Sequence, residues 1–273
     1  MSAAGGSLFT TDPRHAGAGG QALVASEHAR GPWDEGALHG GAPAALITSA
    51  FEHFQPREEL RFARLTFELL RPVPFAPFDL EVRVVRDGRR VQELGAELRA
   101  DGRLVCRAAA VRVARVPDGL PDAAAGAPAE APMPGPGSGE PIRFALDGSD
   151  ARSFASTAME MRAVDDPRGL GPARVWMRLT RPLLDGEAAS SLARVAATCD
   201  FGNGISATLP FDRYVFINAD LSIQLHRAPR GEWIGLDART VLQPDGCGLA
   251  ESVVHDEHGP VGRAFQTLVV APR

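Results

Sequence analysis

Three polar side chains in the second half of this 273-residue chain mark where chemistry could be done. Asp200 closes the apolar stretch Arg-Val-Ala-Ala-Thr-Cys-Asp, Asn218 opens the strand-like run Asn-Ala-Asp-Leu-Ser-Ile-Gln-Leu, and Gln266 sits between Ala264 and Leu268 on one face of the last such run. A buried amide needs a hydrogen-bond partner. A carboxylate at a helix end, with polar groups on the flanking strands, suits proton transfer. No thiol or hydroxyl has a partner base beside it, so the pattern argues against a covalent intermediate. Residue types alone leave a plainer alternative open: Asp200-Phe-Gly-Asn-Gly204 is also the composition of a turn, and on composition the turn is the commoner outcome.

The elements that must position these residues fall into two similar sets. In the first half, residues 1–20 read as a mobile polar start, with Leu23 and Val24 opening a strand. Gly31-Pro32-Trp33-Asp34 and His39-Gly40-Gly41 then lead into a helix in which Ala44, Leu46, Ile47, Ala50, Phe51 and Phe54 recur at helical spacing. Pro43 fits the first turn of that helix. From Phe62 to Val113 the pattern changes to alternation, in four strand-length segments broken by turn signals such as Asp87-Gly88 and Asp101-Gly102. These predict an antiparallel meander on which the helix buries its apolar surface.

Residues 117–141 have the Pro, Ala and Gly content of a linker, so the predicted organisation is an N-terminal unit over 1–116, a linker over 117–150 and a C-terminal unit over 151–273. In the second unit, Ala155 to Arg162 and Val175 to Leu179 read as strands, and Asp185-Gly186 as the cap of a helix from about Glu187 to Cys199. The second unit then repeats the first. Leu221–Arg227 matches Leu65–Arg71 position by position, and Gly259–Arg263 lies over Gly102–Cys106. Carried along the strands, this alignment sets Asn218 on Phe62 and Gln266 on Ala109, so the first copy lacks both polar partners.

The formal net charge of −5 argues against a polyanion such as nucleic acid as a partner for the whole surface. Every cation is Arg; there is no Lys. Three cysteines without metal-ligand spacing point to a reducing, cytoplasmic setting, with no metal and no disulfide framework. No apolar run approaches the length of a membrane span, and no leader is read at the N-terminus.

His39-Gly40-Gly41 after Gly31-Pro32-Trp33-Asp34, the strand Asp220-x-Ser222-x-x-x-His226-Arg227, Gly231-Glu232-Trp233 and the late Gln266 together resemble the thioesterase II-like acyl-CoA thioesterases. The resemblance runs from about Gln21 to Val270 apart from the linker. It implies an α+β double hotdog, two fused repeats that each wrap an antiparallel sheet around a long central helix. It further implies an acyl-CoA substrate, hydrolysed to free acid and coenzyme A without a cofactor.

In that family pattern an Asp, a Thr or Ser and a Gln hold one attacking water. Asp200 and Gln266 fall on the Asp and Gln positions, while Asn218 stands where the hydroxyl residue is expected. An amide can still accept and donate hydrogen bonds. Backbone N–H groups at the start of the first helix, at His39, Gly40 and Gly41, are the candidate oxyanion donors. His226 and Arg227 lie either near the phosphates of coenzyme A or on a solvated rim. The Asn218 departure motivates a second expectation, an acyl-thioester binding protein without turnover. Hydration of an acyl thioester is a third and weaker one, because no paired Asp and His spacing is evident. Sheet-to-sheet pairing into a dimer of double hotdogs is also expected.

Overall fold

The computed structural model describes residues 6–17, 20–32, 34–117, 119–121, 131–143, 152–165 and 169–273; Trp33 and half of the predicted linker lie outside them. The first half contains strands β1 (Phe9–Gly17) and β2 (Gly20–Ala25), helix α1 (Gly41–His53) and strands β3 (Leu60–Leu69), β4 (Phe78–Asp87), β5 (Val91–Ala100) and β6 (Arg103–Ala114). The second contains β7 (Glu140–Ile142), α2 (Phe154–Thr157), β8 (Met159–Ala163), β9 (Ala173–Leu179), α3 (Ser191–Cys199), α4 (Gly202–Ser206), β10 (Tyr214–Asn218), β11 (Asp220–Leu225), β12 (Trp233–Leu242), β13 (Cys247–Asp256) and β14 (Gly259–Pro272). The strands form one sheet in the order β1-β2-β4-β5-β6-β3-β11-β14-β13-β12-β9-β8-β7, with β10 pairing the far part of β14.

That order reads alike from both ends. The sequence β2-β4-β5-β6-β3 corresponds to β9-β12-β13-β14-β11, and the two sets meet where β3 pairs antiparallel with β11. A single offset of 156 positions, that from Thr66 to Ser222, relates their registers. Thr66 pairs with Ala109 as Ser222 pairs with Phe265; Val82 pairs with Ala96 as Ala238 pairs with Ser252; Leu94 pairs with Ala110 as Ala250 pairs with Gln266. Thr66 and Ser222 are themselves partners across the seam. A residue paired with its own repeat equivalent lies on a local two-fold axis, so the seam is the axis relating the halves.

Helices α1 and α3 pack against each other, α1 also against β4 and β5 and α3 against β9 and β12. A Cβ on Gly41 would lie 2.5 Å from the carbonyl oxygen of Ala197, so a glycine there lets the two helices touch through their backbones. Core side chains of both helices, including Leu46, Ile47, Phe51, Val195 and Ala196, join those of both strand sets in one cluster.

Several expectations need correction. The four strands of the first half are not a simple meander: β3 pairs with β6 and not with β4, because the Pro-containing stretch 70–77 between them is too long and too rigid for a hairpin. The N-terminal stretch is not wholly mobile, since β1 pairs with β2 and buried Phe9 packs edge-on against Phe78 at 5.9 Å. Residues Phe154–Thr157 form a helical turn instead of a strand, closed by a reciprocal Ser153–Ser156 capping box. Helix α3 starts at Ser191, not near Glu187, because the Ser190 side chain accepts the N–H of Ala193. The later part of the predicted linker is packed: Met133 is buried, and Trp176 Nε1–H donates to the Pro134 carbonyl at 2.7 Å.

Candidate active site

Asp200 is the C-cap of α3, and its carboxylate is 7% exposed at residue level. Its two oxygens have different surroundings. Oδ1 accepts the Nδ2–H of Asn218 at 2.9 Å and has the Nε2 of Gln266 at 3.5 Å. Oδ2 lies 3.0 Å from Nδ1 of His39 and borders Gly40, where an added Cβ would come within 2.9 Å of it. Amide donors therefore hold one oxygen, and the other faces a titratable ring and a side-chain-free backbone.

Gln266 is 1% exposed and fully engaged. Its Nε2–H donates to the Asp200 carbonyl at 3.0 Å, and its Oε1 accepts the N–H of Asn203 at 2.9 Å. It thereby ties the end of α3 to the start of α4. Gly202 lets the amide in, since a Cβ there would sit 2.7 Å from Oε1 of Gln266. Beneath lies a buried polar set in which Ser206 Oγ–H donates to the Gly202 carbonyl and meets Thr240 Oγ1, each at 2.8 Å.

Strict strand alternation would turn Asn218 away from α3. The structure turns it inward with one extra residue. Four positions separate Asn218 from Ser222, whereas three separate their β14 partners Leu268 and Phe265. The bulge at Ala219 inverts the side-chain parity: Phe216 is 1% exposed and Ile217 56% in β10, while Leu221 and Ile223 face inward in β11. The first half has the same register shift between Phe62 and Arg64, and there Phe62 occupies the place of Asn218. The ladders set Gln266 on Ala110, not on Ala109 as sequence alignment had it. A one-residue slip changes the face: Ala110 is buried and Ala109 only half-buried.

The first half fills the corresponding helix end differently. Arg112 is buried, donates to the carbonyls of Phe51, Phe54 and Gln55 and to Oε1 of Gln92, and stacks over Phe62 at 4.6 Å. A guanidinium plugs the end of α1 where the second half keeps a carboxylate.

Around His39 the structure adds residues that sequence reasoning passed over. The ring stacks on Phe201 at 4.4 Å and tilts against Phe154 at 5.1 Å. Phe154 is 115 positions away in sequence, and nothing in its local pattern could have flagged it. The His39–Asp200 pair likewise joins a histidine and a carboxylate that linear spacing keeps far apart. Gly41 N–H donates to His39 Nδ1 at 3.1 Å, while Gly40 N–H has no partner among the described residues. Solvent meets the site past half-buried His39, Gly40 and Asn218. Adjacent Cys199 is fully buried; burial and the neighbouring Asp200 charge push its thiol far up, which removes it as a nucleophile.

His226 and Arg227 stand apart from this group, at the other end of β11, roughly 25 Å from Asn218 at the usual rise of a strand. Arg227 forms a two-pronged ion pair with Asp256, both contacts at 2.6 Å, and also donates to the carbonyls of Gly259 and Pro260. Its guanidinium is committed to the β13–β14 turn. The His226 side chain is exposed and, with Arg64 and Arg263, lines a shallow groove over the seam.

Comparison with known families matches the acyl-CoA thioesterase C-terminal domain over residues 121–270 and the acyl-CoA thioesterase N-terminal domain over residues 29–113. The chain belongs to the acyl-CoA thioesterase family. It is accordingly a thioester hydrolase, and its substrate class is acyl-CoA. No curated protein matches. Among solved structures, a candidate thioesterase from Novosphingobium aromaticivorans is 21% identical, with a TM-score of 0.71 over 91% of this chain and 94% of that one. A hot dog fold protein from Alicyclobacillus acidocaldarius is 18% identical (TM-score 0.70, 93% and 92% covered), and a candidate thioesterase II from Thermobifida fusca is 16% identical (0.68, 92% of each chain). At these identities the likeness shows the fold, which is the hotdog fold. No described helix is long and apolar enough to cross a membrane.

Proposed function

We propose that this acyl-CoA thioesterase works through Asp200 as the general base for an attacking water, at one site per chain, on a double hotdog made of units 1–116 and 151–273 with 117–150 as the link. The observation that carries this reading is the division of labour at the carboxylate. Oδ1 accepts from Asn218 and lies near a second amide of Gln266, which fixes the plane of the group and leaves Oδ2 to take the proton. Gly40 N–H, at the N-cap of α1 and without a partner among the described residues, would donate to the developing oxyanion. Attack by water breaks the C–S bond after the tetrahedral intermediate forms, giving carboxylic acid and the coenzyme A thiol.

The test is thiol release from a panel of short, long, branched and aromatic acyl-CoAs, comparing the intact protein with Asp200→Asn. A fall of about a hundredfold or more on any hydrolysed member supports the base. Hydrolysis unchanged in the variant would end the assignment, and tight acyl-CoA binding without hydrolysis by either protein would favour the binding-protein alternative. The His39–Asp200 pair supports one further reading, hydration of an enoyl thioester. Loss of the enoyl absorbance without thiol release would reveal it.

We further infer a cytoplasmic protein that pairs into a dimer of double hotdogs. Val241, Leu249, Val269 and Ile217 are exposed on neighbouring strands of the second half, and such an apolar row supports sheet-to-sheet pairing. Sedimentation as a monomer at working concentration would refute the pairing.

A further inference from the structure

The duplication leaves one arginine of an equivalent pair without a counter-ion. Arg71 and Arg227 are related by the same offset as Thr66 and Ser222, and each lies just beyond its strand, β3 or β11, at opposite ends of the seam. Both donate to the same backbone position of the repeat. Arg227 Nε–H reaches the Pro260 carbonyl at 2.9 Å, and Arg71 Nη1–H reaches its counterpart, the Leu104 carbonyl, at 3.0 Å. The counter-ion is what differs. Asp256, which takes both prongs of Arg227, pairs with Gly259 just after a register shift in β13. The same place in β5, after the same shift, is buried Ala100, paired with Arg103. A methyl group cannot hold a guanidinium. Arg71 is exposed and, among the described residues, has no carboxylate partner.

Arg71 also stands at the end of the seam that carries Asp200. Leu69 N–H donates at 3.0 Å to the carbonyl of Ala219, next to Asn218, and Leu38 N–H, next to His39, donates at 2.8 Å to the carbonyl of Val73. The segment 69–73 thus joins the two sides of the opening through which solvent meets the site, with Arg71 at its middle. The two carboxylates that end the seam here are engaged elsewhere: Glu68 holds Arg107 at 2.9 Å, and Asp220 accepts the Thr267 N–H at 2.7 Å. Neutralised Arg227 stands at the opposite end. It follows His226, whose carbonyl is held by Arg61, the neighbour of the Phe62 that replaces Asn218 in the first half.

We propose that Arg71 binds phosphate of the coenzyme A thioester at the mouth of the Asp200 site. This rests on the reading of Asp200 as the reactive centre. With the thioester carbonyl beside Asp200, the pantetheine arm carries the diphosphate and the 3′-phosphate outward, past Asn218 and His39, to the side where the free guanidinium stands. An arginine fork matches phosphate oxygens, and the donation to Leu104 anchors the side chain while using one of its N–H groups. So remote a contact is the same before and during reaction. It lowers KM and leaves kcat unchanged.

The test is steady-state hydrolysis by the intact protein and R71M of one acyl group carried on coenzyme A, on dephospho-coenzyme A and on pantetheine. R71M should raise KM for the acyl-CoA about tenfold or more, with kcat within threefold and KM for the acyl-pantetheine within twofold. R71K keeps the charge and loses the fork, so its KM should fall between the two. A penalty that persists on the dephospho-coenzyme assigns Arg71 to the diphosphate; one that disappears there assigns it to the 3′-phosphate. An unchanged KM for acyl-CoA in R71M overturns the proposal, and so does a rise of equal size on acyl-pantetheine. If no thioester turns over, equilibrium dialysis of the acyl-CoA against both proteins reads the same ratio as Kd. D200N is run alongside. Hydrolysis lost in D200N with KM unmoved in R71M retires the phosphate contact and keeps the base. Hydrolysis retained in D200N retires the base, and a KM rise confined to the phosphate-bearing thioesters would still assign Arg71 to them.

Discussion

Asn218 donates its Nδ2–H to Oδ1 of Asp200 at 2.9 Å, although the two are 18 positions apart with helix α4 between them. The amide therefore grips the carboxylate directly. A threonine in its place has one hydroxyl on a shorter side chain. The departure from the expected hydroxyl residue thus puts a longer donor on the Asp200 carboxylate. Removing this donor in N218A should lower kcat/KM by roughly ten- to a hundredfold, the size of one hydrogen bond to a charged group. N218T should fall between N218A and the intact protein in the same thiol-release assay.

Gly202 is the position at which the Gln266 amide enters. An added Cβ would stand 2.7 Å from Oε1 of Gln266 and 2.9 Å from Oγ of Ser252, both buried. Gly202→Ala is expected to lower unfolding stability by about 1–3 kcal/mol, as overpacking does. It should also reduce kcat at least tenfold, because Gln266 holds the Asp200 carbonyl. Urea titration and thiol release on the same preparation check both.

Arg227 is expected to matter for stability and not for turnover. Burial pushes the Asp256 carboxyl up, but the Arg227 guanidinium and the N–H groups of His258 and Arg230 outweigh it and hold the group below its ordinary value. A folded-state value below the unfolded one stabilises above the ordinary carboxylate range, and that contribution is lost as pH falls through the lowered folded value. R227A strands a buried carboxylate and should cost about 3 kcal/mol near neutral pH, less in acid, with kcat per folded molecule unchanged. A large rise in KM for acyl-CoA would instead place Arg227 at the coenzyme.

Arg112 makes the matching prediction for the first half. Its guanidinium satisfies three carbonyls at the end of α1, so R112M should cost about 2–3 kcal/mol by leaving buried acceptors bare. Activity per folded molecule is expected within threefold of the intact protein. A hundredfold loss would mean that the first half carries chemistry of its own.

Local patterns in the chain made α1, the strands β3 to β6 and the correspondence of Leu65–Arg71 with Leu221–Arg227 readable, because helical and strand periodicities and Asp-Gly turns are properties of neighbouring residues. Asp200, Asn218, Gln266 and His39 could be singled out in the same way, as polar side chains or glycine-flanked positions in apolar surroundings. The order of strands could not, since the pairing of β3 with β6 depends on where a proline-containing connection sends the chain. Nor could the inward turn of Asn218, which needs one extra residue at Ala219 measured against β14.

Residue type and spacing thus determined by themselves that a duplicated sheet-and-helix chain carries its polar set in the second copy. Tertiary structure alone decided that His39 of the first half and Asp200 of the second share one contact, that Phe154 and Phe201 hold the ring there, and that Arg227 is tied to Asp256. The physical reason is range. Periodicity reports which face a side chain takes within its own element, whereas a 3.0 Å contact between residues 161 positions apart exists only once two helices have packed across a seam.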